Sequence, residues 1–473
     1  MAHRPTTEEL GFSDRMTDTD ALLWNMERDP KLRSTVTAIM LLDQSPDWDR
    51  ILDRAERLTR LLPRLRQRVV EPPRVLGPPR YETDPDFDLA YHLRRVSAPP
   101  PGDFRTVLDF AQASAMSGLD HHRPLWEYTL FEGLEDGRAA FVQKVHHSMV
   151  DGVGGMQLAL LTVDQDRHPA EEDPMPEKPA EEHFGLVEFQ RDALVRSAHA
   201  LVDTTVHAPG LIGRVAASLR NPVRVVVDTG RLVASAGRLL SPALRTCSPI
   251  MTSRSTRWRY FALEVPLDDL RRAAKVADAS LNDAYVAAIC GGFDRYHRRH
   301  GPPVPELRMT MPMNLRGDDE LLGGNRLTTL RMLVPTDEPD PVARMIRIGE
   351  VSTRTQNEPA VAVTPAIAGL LNRLPERAMT LVFAGMFEHV DFLASNVPGL
   401  PSRCYTAGAE VLRWYAFGPT EGAAVNLTLM SHGETCCIGV NCDAAAVPDP
   451  DVLAECLSES FDEVLALGSA DQS

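Results

Sequence analysis

No run in this chain approaches the ~18 apolar residues that a membrane-spanning helix needs. A membrane-spanning protein is therefore not expected. The opening MAHRPTTEELGF has no apolar core, so it does not read as a secretory signal. Cysteine is scarce and irregular: seven residues, an odd number without regular spacing, make no disulfide framework. Cys436, Cys437 and Cys442 cluster, but no second ligand pair accompanies them. They read as small buried apolar residues and not as a zinc site. Glycine-rich nucleotide signatures are missing too, with no GxGxxG after a strand and no GxxxxGK[ST]. No G-x-S-x-G elbow occurs, which counts against a serine hydrolase. Nor is there a basic surplus. A formal net charge of −16 argues against nucleic acid as a general partner. These absences leave a protein of a reducing compartment, soluble or attached to a membrane from outside.

What is present fits a folded globular chain, 43% hydrophobic and 25% charged. At 473 residues it is too long for one ordinary core, and two domains are expected. Residues 164–182, DQDRHPAEEDPMPEKPAEE, are acidic and proline-rich with no apolar period, the composition of a linker or exposed loop. Residues 186–259 reverse the sign, with eleven arginines against four acids and apolar residues between them. Such a segment suits an anionic surface, or serves as a crossover whose arginines are merely solvated. The expected division is residues 1–185, a basic helical crossover over 186–259, and residues 260–473. Strand and helix patterns mix in both halves without a regular βαβ alternation, so the class is α/β of the α+β kind. Asp103 is a plausible N-cap for a helix over 103–119, and glycine turns join the strands over 125–130 and 139–145 as a hairpin.

The chemistry centres on VHHSMVDG, residues 145–152. A mostly apolar strand feeds it and a glycine-rich turn follows it, so two histidines stand where a strand ends. Histidine, with a neutral pKa near ~6.5, is the ordinary general base at neutral pH. Strand alternation would turn His147 and His146 opposite ways. Asp151 could orient the loop or pair with an arginine, and Gly152 would allow a backbone shape that a side chain forbids. A pair of satisfied core histidines remains the alternative. Metal ligation fits poorly, because adjacent histidines lack the i, i+4 spacing of a zinc helix. His121-His122 lacks a following Asp-Gly and reads as surface or packing.

HHSMVDG matches the HHxxxDG motif of acyltransferases related to chloramphenicol acetyltransferase and to peptide-synthetase condensation domains. Its surroundings are more specific. RPLWEYTLFEGL (123–134), LNDAYVAAICGGF (281–293), MPMNLR (311–316), GGNRLTTL (323–330) and SNVPGL (395–400), in this order, resemble the bacterial wax ester synthase/diacylglycerol acyltransferase family. TDTDALLW stands where many relatives carry a Ser-Pro-Met-Asp-like opening. The resemblance implies two chloramphenicol-acetyltransferase-like domains with mixed sheets, meeting at a tunnel that holds the motif. It implies His147 as general base, His146 as its support, and Asp151 as a structural residue paired with Arg316. Asn282 would donate to the developing oxyanion or hold the base, Asp283 would support its helix, and Asn396 would line the site. It implies no cofactor and no metal, with acyl-CoA as co-substrate and diacylglycerol or a long-chain alcohol as acceptor. The expected location is cytoplasmic, peripheral to a membrane or lipid droplet. A carrier-protein acyl donor, or a lipid-binding protein without catalysis, are the competing readings.

Overall fold

The computed structural model describes residues 15–71, 78–149, 161–169, 174–180, 191, 245–314, 327–357 and 387–469. The first half opens with helix α1 (Asp18–Met26), capped by the Thr17 hydroxyl. Strand β1 (Thr35–Leu42) follows, and then α2 (Trp48–Leu61), where Asp47 caps the helix and Pro63 stands just beyond its end. Two short strands, β2 (Gln67–Val70) and β3 (Arg80–Thr83), pair only with each other. A single helical turn, α3 (Leu89–His92), capped by Asp88, comes next. Strand β4 (Leu93–Ser97) then runs on. In α4 (Phe104–Met116) the Asp103 carboxylate accepts the Thr106 N–H at 2.8 Å, as its cap position predicts. Strands β5 (Trp126–Glu132) and β6 (Ala139–His146) form the expected hairpin, with Gly133 and Gly137 at positive φ in the turn.

The second half begins with β7 (Trp258–Pro266) and continues through α5 (Leu267–Val276) and α6 (Leu281–His300). Strands β8 (Glu306–Asn314) and β9 (Leu327–Pro335) and helix α7 (Pro341–Gln356) come next. Then come β10 (Phe392–Val397), β11 (Tyr405–Thr406), β12 (Ala409–Phe417), β13 (Val425–His432), β14 (Thr435–Asp443) and the closing helix α8 (Pro450–Ser469). In α6, rich in small residues over this stretch, Ala284 to Phe293 are all buried. Gly292 lies so close to α8 that a methyl group there would stand 2.9 Å from the Leu457 backbone.

Both sheets have six strands and both are mixed. The order β11-β12-β1-β6-β5-β4 is antiparallel except for β4 beside β5, and β7-β14-β13-β10-β8-β9 has β10 parallel to both neighbours. Two strands from late in the chain, β11 and β12, complete the first sheet, and β12 pairs with β1. Immediately after it the chain enters the second sheet as β13. The sheets meet at this crossing, where Gly439 of β14 has no side chain to strike the Ala416 carbonyl of β12. The edge of β7 is covered by α4, whose Gln112 accepts the Tyr260 N–H at 2.9 Å. One apolar cluster lies between α2 and the first sheet and another on its opposite face under α4, while the largest joins the second sheet to α5, α6, α7 and α8. A small apolar pocket, partly open to solvent, sits between α2 and the first sheet, lined by Arg54, Leu58, Leu93, Trp126, Tyr128 and Phe141.

Candidate active site

The antiparallel ladder of β1 with β6 sets Thr35 opposite His146 and Thr37 opposite Lys144. His146 therefore shares the α4 face of the sheet with Lys144. Lys144 is 2% exposed, and its ammonium group binds the Gly118 carbonyl and the Ser117 hydroxyl just past the end of α4. A cation suits that place, where unpaired carbonyls gather. Burial pushes its pKa down, though Glu127 at 3.7 Å opposes this.

One residue further, His146 is fully buried. Its Nδ1 accepts the Ser148 backbone N–H at 3.0 Å and lies 2.7 Å from the Ser148 hydroxyl. An acceptor at Nδ1 puts the proton of the neutral ring on Nε2. That atom lies in close contact with the Glu27 carboxylate, which becomes an ion pair when the ring is protonated. Burial by itself would raise the Glu27 pKa. The contact with His146, helped by the charges of His121 and Arg33, outweighs burial and holds the carboxyl below its ordinary value. Trp24 of α1 closes the pocket, edge-on to His146 at 5.8 Å and against His121 at 4.3 Å. Ser148, His146 and Glu27 thus connect in the order of a hydrolase triad. Yet Ser148 is 2% exposed and His146 is 0% exposed, so the hydroxyl has no access to a substrate carbonyl.

The turn carrying His147 is tied down on every side. The His147 N–H donates to Ser34 at 2.8 Å, the Met149 N–H to His146 at 3.0 Å, and the buried Tyr81 hydroxyl to the Ser148 carbonyl at 2.9 Å. His147 itself is half-buried. Met149 enters the apolar cluster that also takes in Met430, Val397 and Leu400. That cluster joins the His turn to the SNVPGL loop of the second half. Gly399 in this loop passes so tightly over Ser431 that a Cβ would overlap its carbonyl oxygen.

At the start of α6, Ser280 and Asp283 make a reciprocal capping box, with the Ser280 N–H donating to the Asp283 carboxylate at 2.9 Å. Asp283 thus stabilises the helix end. Asn396, near the end of β10, donates from Nδ2 to Asn282 Oδ1 at 2.7 Å. Two residues far apart in sequence are brought together, and the bond leaves Asn282 Nδ2 pointing its protons elsewhere. Asp151, Gly152 and Arg316 lie outside the described residues, as does the expected Asp151–Arg316 pair. Sequence reasoning missed Glu27 and Trp24. His121, read as surface or packing, is exposed and packs on Trp24, with its ring 3.9 Å from Glu27. Nothing local signals the first two, because their importance comes from residue 146.

The fold, two mixed α/β units built around a strand that ends in His-His, is that of the chloramphenicol-acetyltransferase-like acyltransferases. The same architecture recurs in the first condensation domain of the calcium-dependent antibiotic synthetase, with TM-score 0.60 and 16% identity, over 96% of both chains. A wax ester synthase/diacylglycerol acyltransferase from Marinobacter aquaeolei VT8 matches with TM-score 0.65 at 20% identity, over 97% of this chain and 100% of that one. Family models match in two blocks, the wax ester synthase/diacylglycerol acyltransferase catalytic domain over residues 16–285 and the C-terminal domain over 323–464. A putative diacylglycerol O-acyltransferase of Mycobacterium tuberculosis (strain ATCC 25618 / H37Rv) is 38% identical over 465 residues, 97% of this chain and 93% of its own. The chain belongs to the wax ester synthase/diacylglycerol acyltransferase family and is an acyltransferase of that type.

Proposed function

We propose that this acyltransferase esterifies diacylglycerol with an acyl group from acyl-CoA, giving triacylglycerol, and takes long-chain alcohols as a second class of acceptor. The near-full-length match to a relative named as a diacylglycerol O-acyltransferase carries this reading. In the proposed reaction His147 removes the proton of the acceptor hydroxyl as its oxygen attacks the thioester carbonyl. The tetrahedral intermediate then collapses, the C–S bond breaks, and the CoA thiolate takes the proton back from His147. No acyl-enzyme forms. The burial of Ser148 supports a direct attack, since that hydroxyl is spent on His146. Asn282, its oxygen held by Asn396, is left to donate from Nδ2 to the oxyanion. Asp151, Gly152 and Arg316 keep their expected supporting roles around the turn.

The reaction needs no metal and no cofactor beyond the acyl-CoA co-substrate. Among the described residues no helix is long and apolar enough to cross a membrane. Peripheral attachment to a membrane or lipid droplet in the cytoplasm goes with this reading, and the arginine-rich 186–259 segment is the candidate contact for CoA or lipid. The test is to offer labelled palmitoyl-CoA with diacylglycerol or hexadecanol to the purified protein and identify the products. Triacylglycerol as the main product is expected. Ester formation only from a carrier-protein thioester, or lipid binding with no thiol release, would contradict it.

A further inference from the structure

We infer that Glu27 is a positioning residue for this reaction: it holds His146 in the Nε2–H form, and His146 in turn clamps the turn that presents His147. The inference rests on the proposed role of His147 as base.

Three observations carry it. First, the contacts form an unbroken path from the Glu27 carboxylate to His146 Nε2, and from His146 Nδ1 to the backbone of Ser148, the residue next to His147. Second, Glu27 is the C-cap residue of α1. A carboxylate at a helix C-terminus faces the negative end of the dipole and is disfavoured there. The needs of α1 do not explain this acid, whereas the ring it faces does. Third, the pair is sealed, with the Glu27 side chain 5% exposed and that of His146 fully buried. Water cannot substitute for either partner. The other charged groups facing Glu27 are Arg33 at 3.5 Å and His121 at 3.9 Å, and neither touches Ser148.

The tautomer matters because only one form fits. With the proton on Nδ1, that N–H would turn to the Ser148 hydroxyl, and the Ser148 backbone N–H would lose its acceptor in a site closed to water. The turn would have to shift, and a misplacement of about 1 Å in a reacting group can cost about 10²-fold in rate.

The test compares four variants in one acyl-transfer assay with acyl-CoA and diacylglycerol. Glu27→Ala is expected to lower kcat by about 10²-fold while KM for both substrates stays within about twofold, since Glu27 touches neither. Glu27→Gln, whose amide oxygen can still accept from Nε2–H, is expected to recover most of that loss. Ser148→Ala keeps its backbone N–H and is expected to stay within a few-fold of wild type. His147→Ala reports separately on the base. In 15N-histidine spectra, with the His146 signals assigned by their loss in His146→Gln, the wild type should show Nε2 protonated and Glu27→Ala a mixture of the two forms.

Wild-type kcat in Glu27→Ala would overturn the inference. So would an inactive Ser148→Ala, which would restore the nucleophile reading, or an unchanged tautomer in Glu27→Ala. If Glu27→Ala does not fold, Glu27→Gln and the wild-type spectrum still decide, because Nδ1–H in the wild type contradicts the clamp. An active His147→Ala would remove the base, and the spectra would still report on Glu27 and His146.

Discussion

Two neighbouring histidines meet different surroundings here because strand geometry separates them. His146 follows Lys144 on the face toward α4 and is consumed by Glu27 and Ser148, while His147 stands at the turn, half-buried. That the pair stands at the end of a strand was legible in the sequence, since the apolar run before it and the period of two are local. The partner of His146 was not legible, because burial chooses it from a distant helix. A second residue outside the sequence reading, Glu421, sits in the connection from β12 to β13 at φ 48°. Among the described residues no hydrogen bond or ion pair reaches its carboxyl, and burial pushes its pKa up to about 7 from 4.5. The folded state therefore binds this proton more tightly than the unfolded chain, so stability is lost as pH rises from about 4.5 through about 7. Glu421→Gln is expected to match wild type at pH 5 and to be more stable at pH 8, by about 1–3 kcal/mol and toward the lower figure because the side chain keeps some solvent contact. Urea unfolding at the two pH values measures it, and an equal difference at both would contradict it.

Local chemistry sets many of the elements, although the Asp88-capped turn α3 did not show as helix in the sequence. Asp47 and Asp103 cap their helices, the Ser280–Asp283 box opens α6, and positive-φ glycines turn the β5–β6 hairpin. Strands β7 and β11 escaped notice because they are defined by what they pair with: β7 by β14, and the two residues of β11 by β12. The crossing of β12 over β14 depends on Gly439, where a methyl group would stand 2.1 Å from the Ala416 carbonyl. Backbone cannot yield as a side chain can, so Gly439→Ala should cost about 1–3 kcal/mol or more. A lowered urea midpoint with an unchanged slope would show this, and an unchanged midpoint would refute it. The bond between the ends of β10 and α6 makes a second expectation. If Asn396 acts by orienting Asn282, then Asn282→Ala and the double variant Asn282→Ala/Asn396→Ala should have the same kcat/KM, with Asn396→Ala alone less impaired. Additive losses would mean that the two act independently.

The whole molecule is less divisible than its sequence suggests. Composition marks an acidic linker and a basic crossover between two halves, yet the first sheet is completed by β11 and β12 from the far end of the chain. A polypeptide ending at residue 257 would leave the edge of β1 unpaired beside the buried core, so it is expected to aggregate. A soluble monomer with a cooperative unfolding transition would show that the exchanged strands are dispensable. Val397 and Leu400 of the SNVPGL loop also pack against the apolar cluster that takes in Met149 of the His turn, so both halves share that cluster. Everything about the proposed chemistry then depends on His147. Thiol release from palmitoyl-CoA in the presence of diacylglycerol should fall by at least about 10²-fold in His147→Ala, with folding intact by thermal unfolding. Release at near the wild-type rate would show that another group takes the proton.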